Sequence, residues 1–465
     1  MDSPTSGGEG DSTTRIAAQS SVVDSFKGCG FTGIKIDKDE LRKQLRMPQY
    51  LRYAMRDSIR LQDPGAGETW LPGARSISGS SVVPEINDGP PESPMVVFIN
   101  PRSGGRHGPL LKERLQMLIS EEQVFDLTDV KPHEFVRYGL RCLELLAGLG
   151  DACAKEIREK MRVMVAGGDG TVGWVLGCLL DLEKSGRLPV PPVGIIPLGT
   201  GNDLSRTFGW GGSFPFAWKS AIKRSLDRAT TGQIRRLDSW HVTLATPSTK
   251  IVKLPHCMKP TEVHALDESL EIEESLPEKA YFHEGVFYNY FSIGIMYALT
   301  YLVGIEMQYC TNVIAGMDAQ VAYGFHQLRD EKPYLAQGPI SNKLIYSGYS
   351  CSQGWFFTPC ISDPSLRLDI LRIKRGFVEA HVDDGLLEVF GLKQGWHASL
   401  VMGEVISAKH IVQAAAIRFE LRGGEWKHAF LQMDGEPWKQ PMSRECLTYV
   451  EIKRVPSQSL MINGE

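Results

Sequence analysis

Three short, unbroken apolar runs punctuate the first half of the chain: Met95-Val-Val-Phe-Ile-Asn100, Arg162-Val-Met-Val-Ala166 and Pro192-Val-Gly-Ile-Ile196. None alternates as a half-wet strand would, and each leads through a glycine-containing loop into a plausible helix. Strand, loop and helix repeated three times predict a parallel sheet covered on both faces, an α/β architecture of three layers. The second half is patterned differently. Ile417-Arg-Phe-Glu-Leu-Arg422 alternates apolar with charged residues, and runs at 343–350, 354–360, 366–374, 386–392, 428–433 and 446–455 predict further strands. A second, β-rich and sandwich-like domain is therefore expected beside the first.

Before Met95 the pattern divides into three. Residues 1–20 are rich in Ser, Thr, Gly and Asp, the composition of a disordered end. Over 38–61, Leu41, Leu45, Leu51, Met55 and Ile59 recur near helical spacing among seven basic residues, and Pro48 is expected to split the helix in two. Such a segment lies on an anionic bilayer, fills the groove of a partner such as calmodulin, or packs its apolar stripe on the body of the protein. Packing on the body is the favoured reading. From Gln62 to Pro94, proline, glycine and serine predict an extended linker and a boundary.

One stretch requires a membrane test. The twenty-one residues from Gly285 to Ile305 carry no charge, which meets the length of a spanning helix. The run is weakly lipophilic, with Asn289, Ser292, Thr300 and four tyrosines, and is flanked by Glu284 and Glu306. A buried strand plus an insertion is the preferred reading. Composition adds limits of its own. The 465 residues hold 42% hydrophobic and 23% charged side chains with a net charge of −4, so nothing global points to a polyanion. Nine cysteines without a Cys-x-x-Cys pair suit a reducing, cytoplasmic compartment, and no signal peptide is visible.

The chemistry concentrates in the loops that follow the three apolar strands. They are Asn100-Pro-Arg-Ser-Gly-Gly105, Gly167-Gly-Asp-Gly-Thr171 and Leu198-Gly-Thr-Gly-Asn-Asp203. In an open α/β sheet all three arrive at the carboxyl edge of the strands, where ligands bind. Glycine lets backbone approach a phosphate, and a following helix N-terminus supplies N–H donors. Asp169 and Asp203, set in loops that otherwise favour anions, make sense where a divalent cation stands between acid and phosphate; the alternative is that each caps the next helix. Gly168-x-Gly170-x-x-Gly173 also satisfies a dinucleotide fingerprint, which would make the protein an oxidoreductase. That fingerprint wants an acid at the tip of the next strand, and Ile196-Pro197-Leu198 offers none.

Taken in order, these loops resemble the catalytic domain of the diacylglycerol kinases. Tyr290-Phe-Ser-Ile-Gly294, Met317-Asp-Ala-Gln320, Gly324-Phe-His326, Asn342-Lys343 and Asp383-Asp-Gly-Leu-Leu387 resemble the accessory domain of that family, and the resemblance runs from about 95 to 455. It is closest to the short plant type without cysteine-rich C1 domains. It implies a linker region over 1–94, a catalytic domain over 95–236, an accessory domain over 237–455 and a tail over 456–465. The implied reaction is transfer of the ATP γ-phosphoryl group to diacylglycerol with Mg2+, in lipid signalling at a membrane surface. By the same resemblance Asn100, Ser103, Gly104, Gly105, Gly167, Gly168, Gly170, Thr171, Gly199, Thr200, Gly201, Asn202 and Asp203 would surround the nucleotide. Asp169 and Glu436 would meet its magnesium, Asp434 of Met433-Asp-Gly-Glu-Pro437 would act as base, and Asp238, Asp383 and Asp384 would hold a second magnesium. Plain Asp-Gly turns are the alternative readings at 434 and at 383–385. Lys219, Lys223, Arg224, Arg228, Arg235 and Arg236 either face anionic lipid or form a solvated helix face.

In relatives Ser292-Ile-Gly294 would run directly into Met317-Asp-Ala; here Ile295–Gly316 intervene. An apolar insert of this kind leaves two further readings open, a splice form with impaired catalysis that serves as a binding module, and a kinase of a related lipid such as a sphingoid base or ceramide.

Overall fold

A computed structural model describes residues 36–72, 89–103, 107–199, 201–213, 218–247, 253–255, 257–261, 280–294, 312–315, 318–332, 335, 342, 345, 366–373, 378–391, 409–424 and 427–465. Its first layer begins with two helices, α1 (Lys38–Leu45) and α2 (Gln49–Leu61), separated at Pro48 as expected. The Asp37 carboxylate accepts the N–H groups of Asp39 and Glu40 and so caps α1. Both helices bury their apolar stripe: Leu41, Leu45, Leu51, Met55 and Ile59 all lie in the core. Arg52 is buried with them, paired to Glu122. Of the readings open for this segment, the structure shows the favoured one, the apolar stripe packed on the body of the protein. The linker is also shorter than expected. Pro64–Trp70 forms a 3-10 turn in which a Cβ on Gly67 would stand 2.3 Å from Cys142 Sγ.

The catalytic half then follows as β1 (Met95–Ile99), α3 (His107–Leu118), β2 (Val124–Asp126), a π turn at Phe135–Leu140 running into α4 (Arg141–Gly148), α5 (Ala152–Lys160), β3 (Arg162–Gly167), α6 (Asp169–Lys184), β4 (Val193–Pro197), α7 (Asp203–Thr207), α8 (Trp218–Thr231) and β5 (Ile234–Leu237). Strands β1 to β4 are parallel, in the order β2-β1-β3-β4. Side chains alternate between two cores. Met95, Val97 and Ile99 join α1, α3 and α8, whereas Val96 and Phe98 join α2, α4, α5 and α6. A strand buried on both faces has no wet position, which is why its sequence shows no alternation.

The accessory half contains β6 (Trp240–Thr246), β7 (Lys259–Thr261), β8 (Tyr281–Phe287), β9 (Tyr290–Gly294), β10 (Asn312–Ala315), α9 (Asp318–Glu331), β11 (Leu366–Ile373), β12 (Leu387–Gly391), β13 (Lys409–Leu421), β14 (His428–Met433), β15 (Glu436–Pro441) and β16 (Thr448–Arg454). They form one mostly antiparallel sheet, ordered β15-β14-β9-β10-β12-β13-β16-β6-β8-β7, with β11 on β13. The sheet curls over its own apolar face. Phe291 of β9 stacks on Phe419 of β13 at 6.4 Å between ring centroids and meets Trp438 of β15 at 6.2 Å.

Several expectations are amended here. The charge-free run at 285–305 opens as the ends of β8 and β9, while 295–305 lie outside the described residues. No helix of the described residues is long and apolar enough to cross a membrane. The last part of the insert forms β10, wedged in parallel between β9 and β12. Within 343–350, expected as strand, the described Ile345 is helical, and 354–360 lie outside the described residues. The expected tail does not hang free. Ser459–Ile462 is β17, which enters the catalytic sheet between β4 and β5. Trp210 Nε1 donates to the Ile462 carbonyl at 2.8 Å and Arg228 Nη1 to the Gly464 carbonyl at 3.0 Å. The chain therefore ends in the domain where it began its sheet, and the two halves cannot be divided cleanly at 236/237 or 455/456.

Candidate active site

Strands β1, β3 and β4 end together, with Ile99 opposite Ala166 and Gly167 opposite Pro197, so their loops share one edge. Side chains and backbone tie the loops to one another. Asn100 Nδ2 donates to Thr171 Oγ1 at 3.1 Å, and the Asn100 carbonyl accepts the Ser103 N–H at 3.0 Å. A Cβ on Gly199 would meet Gly168 Cα at 2.7 Å and one on Gly168 would stand 3.1 Å from Gly199 Cα, so these two loops pack backbone against backbone and position 199 has no room for a side chain. Gly167 has the same constraint against the Thr171 side chain, at 2.6 Å. Helix α6 opens with Asp169, its first-turn N–H groups directed to this edge. Gly104, Gly105 and Thr200 lie outside the described residues.

Asp169 reaches across to the third loop. Its Oδ2 accepts the Asp203 N–H at 2.9 Å and its Oδ1 the Leu204 N–H at 3.2 Å, at the start of α7. Burial pushes the Asp169 carboxyl up to about 7, and the Asp203 and Asp434 charges push it the same way. Among the described residues Arg206 is the cation facing this group, and it is paired to Asp203. Asn202 is differently employed. Held in a left-handed conformation, it accepts the Gly199 N–H at 2.8 Å and donates to the Gly199 and Gly212 carbonyls at 2.8 and 3.0 Å. Its amide braces the loop from within, so it is not left to contact a nucleotide as the sequence suggested. Gly201 is exposed beside Asp203.

The accessory half supplies the other side. Asp434 and Gly435 have φ of 45° and 85° between the paired Met433 and Glu436, the signature of a type I′ hairpin. The Asp434 carboxylate is drawn inward. Oδ2 accepts the Tyr288 N–H at 2.9 Å, and Oδ1 accepts those of Asn289 and Tyr290 at 2.9 and 3.0 Å. Three consecutive N–H groups of the β8–β9 turn thus form a nest for one carboxylate. Burial pushes Asp434 up to about 6, against the opposing pull of those N–H groups. Helix α6 receives this turn on its glycine face. A Cβ on Gly170 would stand 3.2 Å from the Asp434 carbonyl, and one on Gly173 would stand 3.1 Å from Asp434 Oδ2. The dinucleotide fingerprint is thereby explained without a dinucleotide, because its second and third glycines admit the accessory domain. Glu436, exposed, has Oε1 3.5 Å from the same Gly170 position.

Comparison with known proteins identifies the family. The diacylglycerol kinase catalytic domain profile matches residues 94–234, and the diacylglycerol kinase accessory domain profile matches 311–371 and 367–437. Over the whole of both chains the sequence is 56% identical to diacylglycerol kinase 7 and 55% identical to diacylglycerol kinase 3 of Arabidopsis thaliana. It is 32% identical to diacylglycerol kinase 1 of Oryza sativa over 78% of each. The chain belongs to the diacylglycerol kinase family.

Within this diacylglycerol kinase family member the two expected metal sites differ. Magnesium is commonly held by one or two carboxylates plus substrate phosphates. Asp169 and Glu436, beside Asp203 and Asp434 with one arginine among them, suit that requirement. Asp238, Asp383 and Asp384 do not. Asp238 Oδ1 accepts from Arg454 Nε at 2.8 Å and Gln458 Nε2 at 2.9 Å, and its Oδ2 accepts the Gly385 N–H at 2.6 Å. Asp384 is engaged by the Leu386 and His381 N–H groups, and Asp383 is exposed. An arginine already supplies the charge that a second magnesium would bring, so that expected site is corrected to an ion-paired turn. No cluster of three metal-binding side chains occurs among the described residues.

Two neighbours escaped the sequence reading. Asn289 joins Asp434 through its backbone and Asp169 through its side chain. Cys257 lies close enough for the Asp434 and Glu436 charges to add to the burial that pushes its thiol up to about 12. The only signal for Asn289 was its place before Tyr290-Phe-Ser-Ile-Gly294; for Cys257 there was none.

Proposed function

We propose that this protein transfers the γ-phosphoryl group of ATP to the free hydroxyl of 1,2-diacylglycerol, giving phosphatidic acid and ADP. The observation that carries the reading is the meeting of glycine loops and surplus carboxylates at one sheet edge, in a chain alignable end to end with diacylglycerol kinases. Phosphoryl transfer asks for positioning and charge neutralisation rather than covalent chemistry. The first-turn N–H groups of α6 donate to the phosphates, which Gly167, Gly168, Gly170 and Gly199 let approach the backbone. Asn100 and Ser103 shape the first loop around them, and Thr171 is fixed by Asn100. Asp169 and Glu436 would hold the magnesium that accompanies the nucleotide, and that ion would offset phosphate charge. Asp434, ionised at neutral pH with its carboxyl near 6, takes the proton of the attacking hydroxyl through the lone pair that Oδ2 retains.

Diacylglycerol and phosphatidic acid both stay in the bilayer, so a cytoplasmic protein acting there needs a surface contact. Arg235 and exposed Ile234 on the edge strand β5 fit an anionic membrane surface. Arg228 and Lys223, by contrast, are turned to the Gly464 and Ile36 carbonyls.

A panel of diacylglycerol, sphingoid base and ceramide, each with radiolabelled ATP and magnesium, tests the reading. Label in phosphatidic acid is expected; label in a sphingoid or ceramide phosphate alone would replace it with the kinase of a related lipid. No transfer at all, with nucleotide still bound, would favour the impaired splice form.

A further inference from the structure

Between the two domains one side chain touches the carboxylate that the proposed function depends on, and it belongs to none of the three glycine loops. Asn289 sits at the tip of the β8–β9 turn, buried to 6% exposure. Its backbone N–H is held by Asp434 Oδ1 at 2.9 Å, so its position is set by the accessory sheet. Its side-chain Nδ2 stands 3.4 Å from Asp169 Oδ2, across the domain boundary. The other two donors to Asp169 are backbone N–H groups of the catalytic half. The orientation of the amide follows from its surroundings: with Asp169, Asp203 and Asp434 charges converging here, the NH2 end faces the carboxylate and the oxygen turns away.

We infer that Asn289 is a positioning residue, through which the accessory domain fixes the rotamer of Asp169 for phosphoryl transfer. The inference rests on the proposed role of Asp169 and deepens it. The neutral amide is suited to the place. It donates to Asp169 without adding charge to an already crowded set of acids, whereas lysine or arginine would neutralise the cluster and compete with a divalent cation. The 3.4 Å separation lies at the long end of the hydrogen-bond range.

Three variants test this. Asn289→Ala removes the donor but keeps the backbone N–H in the Asp434 nest; kcat should fall about tenfold, with KM for ATP and for a short-chain diacylglycerol within about twofold of wild type. Asn289→Asp sets a fourth acid against Asp169 and should lower kcat about a hundredfold and depress the thermal midpoint. Asp169→Asn combined with Asn289→Asp reverses donor and acceptor, and should recover that midpoint beyond the sum of the single changes while leaving kcat low. A folded Asn289→Ala with unchanged kcat overturns the inference, as do losses confined to KM. Additive midpoints overturn it as well, and they do so without any turnover. A wild-type protein that transfers no phosphate to diacylglycerol would instead defeat the proposed function, while the midpoint cycle would still decide whether Asn289 and Asp169 are coupled.

Discussion

Asp169 and Asp434 at the loop edge, and Asp238 and Asp384 in the turns before β6 and β12, are aspartates packed into turns in much the same way. Each accepts backbone N–H groups, and within each set an acid raises the carboxyl of its neighbour. They differ in what balances the charge. Around Asp238 the balance is internal, since Arg454 and Gln458 close on one oxygen and the Gly385 N–H on the other. Around Asp169 it is incomplete, with Arg206 facing three acids from its pair with Asp203. A fold that buries acids without a matching cation pays in stability, and such a cost is typical where charged substrates arrive. The unbalanced cluster is therefore the one that the proposed function uses, and the balanced one serves as a joint between turns.

The largest effect that separates them is expected from Asp169→Asn. Phosphate transfer to diacylglycerol should drop by about a thousandfold or more, with thermal stability equal to or above wild type because a strained charge is lost. A variant that kept its activity would show that the surplus charge has another purpose. Arg454→Ala should do the reverse. It strands Asp238 and should lower unfolding free energy by about 2–3 kcal/mol, below the ~3–5 kcal/mol of a fully buried broken pair because Arg454 is partly exposed. Its turnover per folded molecule should match wild type; a selective loss of turnover would restore Asp238 to the functional set.

Gly173→Ala probes the contact between the halves. The added methyl would stand 3.1 Å from Asp434 Oδ2 and 3.5 Å from Tyr288, so α6 and the β14–β15 hairpin must separate slightly. Overpacking costs about 1–3 kcal/mol and helix propensity returns about 1 kcal/mol. Activity should fall about tenfold through misplacement, with only a small change in denaturant midpoint.

Glu388 extends the comparison to pH. Burial pushes its carboxyl up to about 7, the Asp384 charge adds to this, and the Gln413 amide, donating at 2.7 Å, opposes it. A carboxyl raised in the fold penalises the ionised form, so this penalty is absent at acid pH, grows from the unfolded value near 4 to about 7, and is fully present above. Glu388→Gln should accordingly stabilise the protein at pH 8, by about 1–3 kcal/mol, and leave it unchanged near pH 4. Equal midpoints at both values would remove the claim.

The smallest change is expected from deleting 295–316. Across β10, Phe291 of β9 and Val389 of β12 share a register position, opposite Val313, and both side chains point into the same core. The two strands can pair directly without a slip, and the shorter connection changes loop entropy by less than about 1 kcal/mol. The deleted form should transfer phosphate at least as well as the full chain. An inactive deletion would make β10 part of the working sheet.

Much of this was legible in the residues themselves. The unbroken apolar strands at 95–99, 162–166 and 193–196 announced a sheet buried on both faces, and the glycines between them announced close approach at one edge. Pro48 divided the basic segment where a missing N–H requires it. Local pattern is enough for such features because each is enforced within a few residues. It could not say that Asn202 turns inward, since that depends on the Gly212 carbonyl ten residues on. Nor could it separate Asp434 from a plain Asp-Gly turn. It is one, and its carboxylate becomes special only because β14 lies beside β9 and so brings the Tyr288, Asn289 and Tyr290 N–H groups within reach.

The sequence by itself determined the elements, the edge where the loops gather and the family. Tertiary structure decided which acids are left uncompensated, what the Gly170 and Gly173 face is for, and that the last strand returns to the first sheet. The reason is one of range. Periodicity and turn chemistry act over single turns and strands, while electrostatic balance and packing depend on partners that lie up to 252 residues away along the chain, as Trp210 does from Ile462.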